Sequence, residues 1–302
     1  MDANIITGVD IGGTKTQIRV IEGSVILADQ IIATDEWRVR DAKSDAKTLA
    51  EIVRRACQGR APQALAVGAH GCDTDDQCLA VQAHLSAEIA SLVMVVNDSE
   101  LMVPAAGFIE GIGVVAGTGS IAVARTPDGR MLTAGGWGWI LGDEGSAPAL
   151  VREAARAVRG ELDRGRADDP LVRSLMQSVG AEDPTMLGRL LDATRGSVVW
   201  GRYAASVFSA AGMGSQLAQH VIREGGSGLA NLVGILIGRG ANAARVVAGG
   251  GVIAEQPLLM QAFKEAMKQV SPHSDVLLLR APPVAGAVAL AQRLLATSIH
   301  ST

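Results

Sequence analysis

Asp10 ends the apolar run NIITGVD and stands just before Gly12, Gly13, Thr14, Lys15 and Thr16. A carboxylate beside glycines, hydroxyls and a lysine can serve a phosphate group. Glycine lets the backbone come close to an anion. Successive N–H groups form an anion-binding concavity, and a carboxylate can hold Mg2+ through water. The spacing matches neither GxxxxGK[ST] nor GxGxxG, both of which lead into a helix. Here the next residues are TKTQIRV, in which Ile18 and Val20 alternate with polar neighbours at the period of a strand. A single strand–glycine turn–strand unit can equally be an ordinary tight hairpin.

The theme returns at Gly117, Thr118, Gly119 and Ser120, inside GVVAGTGSIAVA. Two such hairpins can clamp the phosphates of one nucleotide from opposite sides, and their likeness hints at an internal duplication. A third cluster, Gly249–Gly251, follows an apolar strand and opens a helix, which suits close approach to an adenosine or its phosphates. Asp98 ends the apolar segment SLVMVVND. A carboxylate at a strand's C-terminal end can take the proton of an attacking hydroxyl. It can also cap the helix SELMVPAAG, and the two roles are compatible.

The elements that position these residues follow from the pattern. Ile26–Ala33 and Ala64–Gly71 read as strands, and Ser44–Cys57 reads as a helix capped by Ser44. From Pro148 the chain turns helical, broken by the charged loop GELDRGRADDP. It closes as a strand, a Pro-Pro turn and a last helix. The 302 residues suggest two domains or one large one. Apolar residues make up 48% and aromatics 3%, so the core must be Ala, Val, Leu and Ile. The net charge of −4, without a basic run, argues against nucleic acid and anionic membrane as partners. The longest apolar run, Leu229–Gly238, is about half a membrane span. The N-terminus lacks the basic, long apolar pattern of a signal peptide. Cys57, Cys72 and Cys78 show no CxxC spacing and read as reduced thiols of a cytoplasmic protein.

The succession DIGGTKT, NDSE, GTGS, GGWGWILGDEGSA and VVAGGG resembles N-acetylglucosamine kinase-like sugar kinases of the BadF/BadG/BcrA/BcrD-type ATPase family, within the actin/hexokinase/Hsp70 superfamily. The likeness runs from Gly8 to about Ala291, and GGWGxxxGDEGS is its most specific part. It implies an α/β, two-domain actin-like ATPase (ribonuclease H-like) fold. Mixed five-stranded sheets would be flanked by helices around a central nucleotide and sugar cleft that closes on binding. One domain would be residues 1–106 with a C-terminal helix at about 286–302. The other would be 107–285. The first phosphate motif maps onto Asp10–Thr16, the second onto Gly117–Ser120, and the adenosine motif onto Gly249–Gly251. The catalytic carboxylate maps onto Asp98. The sugar-contacting segment maps onto Gly136, Trp137, Asp143 and Glu144.

Plain alternatives stand beside several of these residues. Asp143 and Glu144 would face opposite ways on a strand, and we favour Asp143 for sugar hydroxyls. It can instead cap the next helix. Trp137 can stack on a sugar, although packing of its turn against the core is the commoner use. Asp35, in ATDEW, takes the place of an Asn that contacts sugar in the family. His70, in VGAHGCD, stands where a small hydroxyl residue is usual. Both are carried as substrate contacts that depart from the pattern, His70 being equally a turn histidine. Lys15 is as readily solvated as phosphate-bound.

The expected function is phosphorylation of an amino sugar by ATP and Mg2+, from N-acetylglucosamine to its 6-phosphate, by a cytoplasmic homodimer. Glucosamine or another hexosamine is the alternative substrate. A different class is the ATPase activator of an acyl-CoA dehydratase or reductase, which shares an iron–sulfur cluster between subunits. The three cysteines lack that pattern. The repressor/glucokinase relatives carry a cysteine-rich zinc motif that is absent here. A non-catalytic sugar sensor would be expected to have lost Asp98 or the phosphate glycines.

Overall fold

The computed structural model describes residues 4–300. Among them, β1 (Ile5–Ile11), β2 (Lys15–Glu22), β3 (Val25–Ala33), β4 (Ala64–Ala69) and β5 (Leu92–Asn97) form one sheet. Its order is β3-β2-β1-β4-β5. Strands β1, β2 and β3 pair antiparallel through tight turns, whereas β1, β4 and β5 run parallel. Parallel neighbours need crossovers. Helices α1 (Ala42–Ala56) and α2 (Asp75–Glu88) supply them. Asp41, rather than Ser44, caps α1, because its carboxylate accepts the Ser44 N–H at 2.9 Å. Ser44 itself lies in the first turn.

The sheet is covered on both faces, and the alternation of β1 shows how. Ile5, Val9 and Ile11 pack with Leu49 and Val53 of α1. Ile6 faces the other way, toward Val288 and Ala291 of the final helix. β4 is buried along its whole length, as a central parallel strand must be.

A short helix, α3 (Met102–Ala105), leads to the second sheet: β6 (Ile112–Ala116), β7 (Ser120–Arg125), β8 (Met131–Gly135), β9 (Arg245–Gly249) and β10 (Asp275–Leu278). Its order, read from one edge, is β8-β7-β6-β9-β10. This is the order of the first sheet with every number raised by five. The two glycine hairpins, β1–β2 and β6–β7, therefore occupy equivalent places in a repeated topology.

Between β8 and β9 lie α4 (Ala147–Asp163), α5 (Pro170–Val179), α6 (Pro184–Ala193), α7 (Ser197–Gly201), α8 (Ala204–Gly212) and α9 (Gln216–Gly238). Then follow α10 (Gly251–Glu255), α11 (Pro257–Val270) and α12 (Val284–His300). α4 runs on through the segment GELD, so the charged loop begins at Arg164. The apolar run Leu229–Gly238 ends α9, with Leu229, Val233 and Leu236 buried. No helix among the described residues is long and apolar enough to cross a membrane.

By internal contacts the chain forms two compact units. One runs to Gly113, takes in Ala124–Met131 and resumes at Leu279; the other holds Val114–Val123 and Leu132–Leu278.

Candidate active site

In the first unit, β1 and β2 close at Ile11 and Thr16, and the Gly12 N–H donates to the Lys15 carbonyl at 3.0 Å. Gly13, Thr14 and Lys15 are exposed on this turn, but Thr16 is buried. Its hydroxyl belongs to a chain of hydrogen bonds. Trp37 Nε1 donates to Thr16 Oγ1 at 3.1 Å, Thr16 and Thr34 hydroxyls lie 3.0 Å apart, and Thr34 Oγ1 donates to the Gly12 carbonyl at 3.0 Å. Each hydroxyl carries one proton, so Thr16 donates to Thr34. Thr16 thus braces the glycine turn from inside.

Asp10 pairs with Gly68 of β4 and Gln17 of β2. Burial, and then the negative charge of Asp98, push its carboxyl up from 3.8 to about 7, with Lys15 opposing. A carboxyl so disfavoured as an anion gains from a nearby cation, and Asp10 therefore fits a Mg2+ ion held through water. Among the described residues no group of three or more His, Cys, Asp or Glu side chains is placed to hold a metal. A magnesium ion at Asp10 would thus take most of its remaining oxygens from phosphate and water, its usual habit.

Asp98 begins a 3-10 turn, Asp98–Leu101, straight after β5. It does not cap this turn. The buried Asn97 does so, accepting the Ser99 N–H at 2.9 Å while Glu100 Oε1 accepts the Asn97 N–H at 3.0 Å. This is the reciprocal capping arrangement. The Asn97 amide also donates to the Cys72 carbonyl and to Asp73 Oδ1, each at 3.0 Å. Glu100 is in turn held by Arg125 at 2.6 Å. The Asp98 turn then packs on the sheet through Leu101. A Cβ on Gly68 would lie 2.4 Å from Leu101 Cδ1, so only glycine admits this approach. Asp98 is left partly exposed, with Oδ1 accepting the Ser99 N–H at 3.0 Å and Oδ2 3.4 Å from His70 Nδ1. Asp98, by its hydrogen-bonding approach and then its charge, raises the His70 imidazole above its ordinary range. Burial and Arg38 oppose this, and Asp73 adds to it. Asp35 is exposed on the turn Thr34–Glu36.

In the second unit the loop between β6 and β7 closes with Gly117 N–H donating to the Gly119 carbonyl at 2.9 Å. The Gly249–Gly251 cluster abuts it. Gly250 has φ +103, and a Cβ there would meet the Ala116 carbonyl oxygen at 2.6 Å. Ser120 Oγ is buried and, among the described residues, has no hydrogen-bond partner. A buried hydroxyl without a partner at a glycine turn suits a phosphate oxygen as its acceptor. Beside the two loops lies a cavity of about 410 Å³, lined by Gly117, Thr118, Gly251, Arg202, Phe208 and Gln256 among others. The volume and the mix of apolar wall with a few polar groups suit a small organic ligand such as a nucleoside.

Asp143 is not on a strand. It lies in a turn with φ +55 and is 6% exposed. Burial raises its carboxyl above the ordinary range, and the backbone N–H groups of Ser120 and Gly138 oppose that rise. Ser146, not Asp143, caps α4. Glu144 turns elsewhere, against Gly228 of α9, and borders a separate cavity of about 750 Å³ with His220, Glu224 and Asn231. Trp137 is 77% exposed, so it does not pack its turn against the core. Its neighbour Trp139 does pack, with its ring 4.7 Å from that of Trp200, and Arg152 donates to the Trp139 and Gly142 carbonyls. Gly136 is exposed at φ +74 on the same turn.

The first unit therefore gathers Asp10, the Gly12–Lys15 turn, His70 and Asp98, while Asp143, Gly117–Ser120 and Gly249–Gly251 gather in the second. The sequence reading missed Asn97, Phe208 of α8, and Arg202 and Gln256, which cap the ends of α7 and α10. Asn97 was signalled by Glu100 three residues on. The other three carried no local signal.

Repeated five-stranded mixed sheets flanked by helices, each opening on a glycine hairpin, define the actin-like ATPase fold. The chain belongs to the BadF/BadG/BcrA/BcrD ATPase family, whose model matches residues 7–291. It is 30% identical over 171 residues to the N-acetylmuramic acid/N-acetylglucosamine kinase of Clostridium acetobutylicum, an alignment covering 53% of this chain and 55% of that protein. The match thus spans about half the length of the relative. Among solved structures, a proposed N-acetylglucosamine kinase from Chromobacterium violaceum superposes with TM-score 0.71 at 24% identity, over 97% of this chain and all of that one. A glucokinase of the ROK family from Streptomyces griseus, solved with glucose and AMPPNP, superposes with TM-score 0.61 at 19% identity, over 96% and 99% of the two chains. These two likenesses bear on the fold.

Proposed function

We propose that the protein is an ATP-dependent kinase of an amino sugar, with N-acetylglucosamine as the first candidate and its 6-hydroxyl as the acceptor. The observation that carries the reading is the carboxylate pair Asp10 and Asp98, set beside one glycine turn and given different surroundings. Asp10 is buried at the strand end and suits a cation. Asp98 is partly open on a braced turn and suits a proton. The Clostridium acetobutylicum relative, named for action on N-acetylmuramic acid and N-acetylglucosamine, supports the sugar class.

Phosphoryl transfer needs positioning and charge neutralisation more than covalent chemistry. In this reading the Gly12–Lys15 and Gly117–Ser120 turns bind phosphate oxygens through backbone N–H groups, with Ser120 Oγ adding a donor. The nucleoside lies in the cavity beside Gly251. A magnesium ion would be held through water by Asp10 and would supply charge neutralisation at the phosphates. Asp98 accepts the proton of the sugar hydroxyl as that oxygen attacks the γ-phosphorus and the bond to ADP breaks. Asp35 and Trp137, both exposed, are the further sugar contacts of the proposal. A carboxylate at Asp35 accepts from hydroxyls and would also favour the free ammonium of glucosamine, which makes glucosamine the runner-up. Asp143 acts by shaping the second phosphate turn.

The dehydratase-activator reading finds no support in the thiols. Cys57, Cys72 and Cys78 are all buried, so none is presented for a cluster shared with a second subunit. A coupled ADP-release assay over N-acetylglucosamine, glucosamine, N-acetylmuramic acid and glucose tests the proposal. Stimulation by an amino sugar is expected. ADP release indifferent to every sugar contradicts it.

A further inference from the structure

His70 is held by its backbone and open at its ring. The His70 N–H donates to the Ile11 carbonyl at 2.8 Å, and Arg38 Nη1 donates to the His70 carbonyl at 2.8 Å. The side chain is 51% exposed, so packing does not require a histidine. Yet the ring is aimed. Nδ1 lies 3.4 Å from Asp98 Oδ2, and the opposite edge lies over the phosphate turn, where a Cβ on Gly13 would be 3.7 Å from Nε2. Asp73 and Arg38 are the other charged groups that act on the ring.

Asp98 needs such a partner. The last torsion of an aspartate is broad, so a carboxylate on a firm turn can still rotate. Ser99 N–H fixes Oδ1 at 3.0 Å. Among the described residues, the polar contact of Oδ2 is the imidazole at 3.4 Å. Each carboxylate oxygen has room for a second donor, so both contacts leave a lone pair for a hydroxyl proton. A base oriented by a third group is a recurring arrangement in catalytic sites.

We infer that His70 is a positioning residue for the Asp98 base, holding Oδ2 through Nδ1–H so that the carboxylate meets the acceptor hydroxyl in a fixed orientation. This rests on the kinase reading above. It moves His70 from a contact of the sugar to a residue acting through Asp98. The ring's place over Gly13 ties that orientation to the phosphate turn.

The test is steady-state kinetics of His70→Ala and His70→Asn with ATP and the best sugar. His70→Ala should lower kcat roughly tenfold to a hundredfold, a part of what a general base contributes. The KM of either substrate should stay within about twofold, because the effect is on the transition state. Asparagine offers an amide N–H near the position of Nδ1, so His70→Asn should restore most of kcat. The inference is overturned if His70→Ala keeps kcat, if it raises the sugar KM at unchanged kcat, or if His70→Asn is no better than His70→Ala. Should His70→Ala melt early, His70→Leu, which fills the volume without a donor, carries the same comparison with His70→Asn. Asp98→Ala separates the two readings. If Asp98→Ala keeps its turnover, the base assignment fails. If Asp98→Ala is inactive while His70→Ala is fully active, only the role of His70 fails.

Discussion

The Asp143 carboxylate lies against the GTGS turn, where the Ser120 backbone N–H offsets part of the cost of its burial, and so a residue of the GDEGS segment braces that turn. Asp143 Oδ2 would lie 3.1 Å from a Cβ on Gly119, close against the loop it braces. Removing the carboxylate takes the facing acceptor from the buried Ser120 N–H, which costs about 1–3 kcal/mol. Asp143 also has φ +55, a conformation that Asn tolerates and Ala does not. Asp143→Ala should therefore lower the unfolding midpoint more than Asp143→Asn, and raise the KM for ATP in the same order. Denaturant melts and ATP titrations of the two variants check this.

Ser120 gives the opposite stability sign. Its buried hydroxyl lacks a partner among the described residues. Taking away an unsatisfied polar group is near neutral or stabilising. Ser120→Ala should leave the melting temperature of the free protein equal to or above wild type, yet weaken binding of a non-hydrolysable ATP analogue by about tenfold, the worth of one hydrogen bond to a charged group. Calorimetric titration with the analogue, beside a thermal melt, reads both.

Asp10 predicts a pH dependence. Its folded pKa of about 7 exceeds its ordinary 3.8, chiefly through burial and next through Asp98. Below the lower value the carboxyl is neutral in both states and contributes nothing. As pH rises, the unfolded chain ionises first and is favoured, and the cost to the fold is complete above about pH 7. Asp10→Asn removes that cost. Without nucleotide or magnesium, the variant should melt above wild type at about pH 8, with the gap closing toward about pH 4. Its kinase activity should be largely lost at either pH.

Much of the site was legible because its signals are local. The glycines of both hairpins, the apolar strand ahead of Asp98 and the triple glycine all sit within short stretches of chain. The likeness of those hairpins hinted at the duplication that the two matching sheet orders display. What escaped the sequence depends on backbone conformation or on distant packing. Asp143, expected as a sugar contact, has a positive φ and a buried carboxylate against the GTGS turn, neither of which a local pattern announces. Thr16 looked like a phosphate hydroxyl, but its partners Thr34 and Trp37 come from beyond the next strand. Arg202, Phe208 and Gln256 meet at one cavity only after several helices have folded. Asp41 outcompeted Ser44 as a cap because its carboxylate lies three residues before the N–H it receives.

The central claim is that Asp98 takes the proton of an amino-sugar hydroxyl. Its most direct measurement is ADP release with and without N-acetylglucosamine, for wild type and Asp98→Asn side by side. Asparagine preserves the shape but cannot act as the base. The account predicts sugar-dependent release in wild type and a loss of about 10²- to 10⁴-fold in the variant, with ATP binding retained. Equal turnover by the two proteins, or release that ignores the sugar, contradicts it.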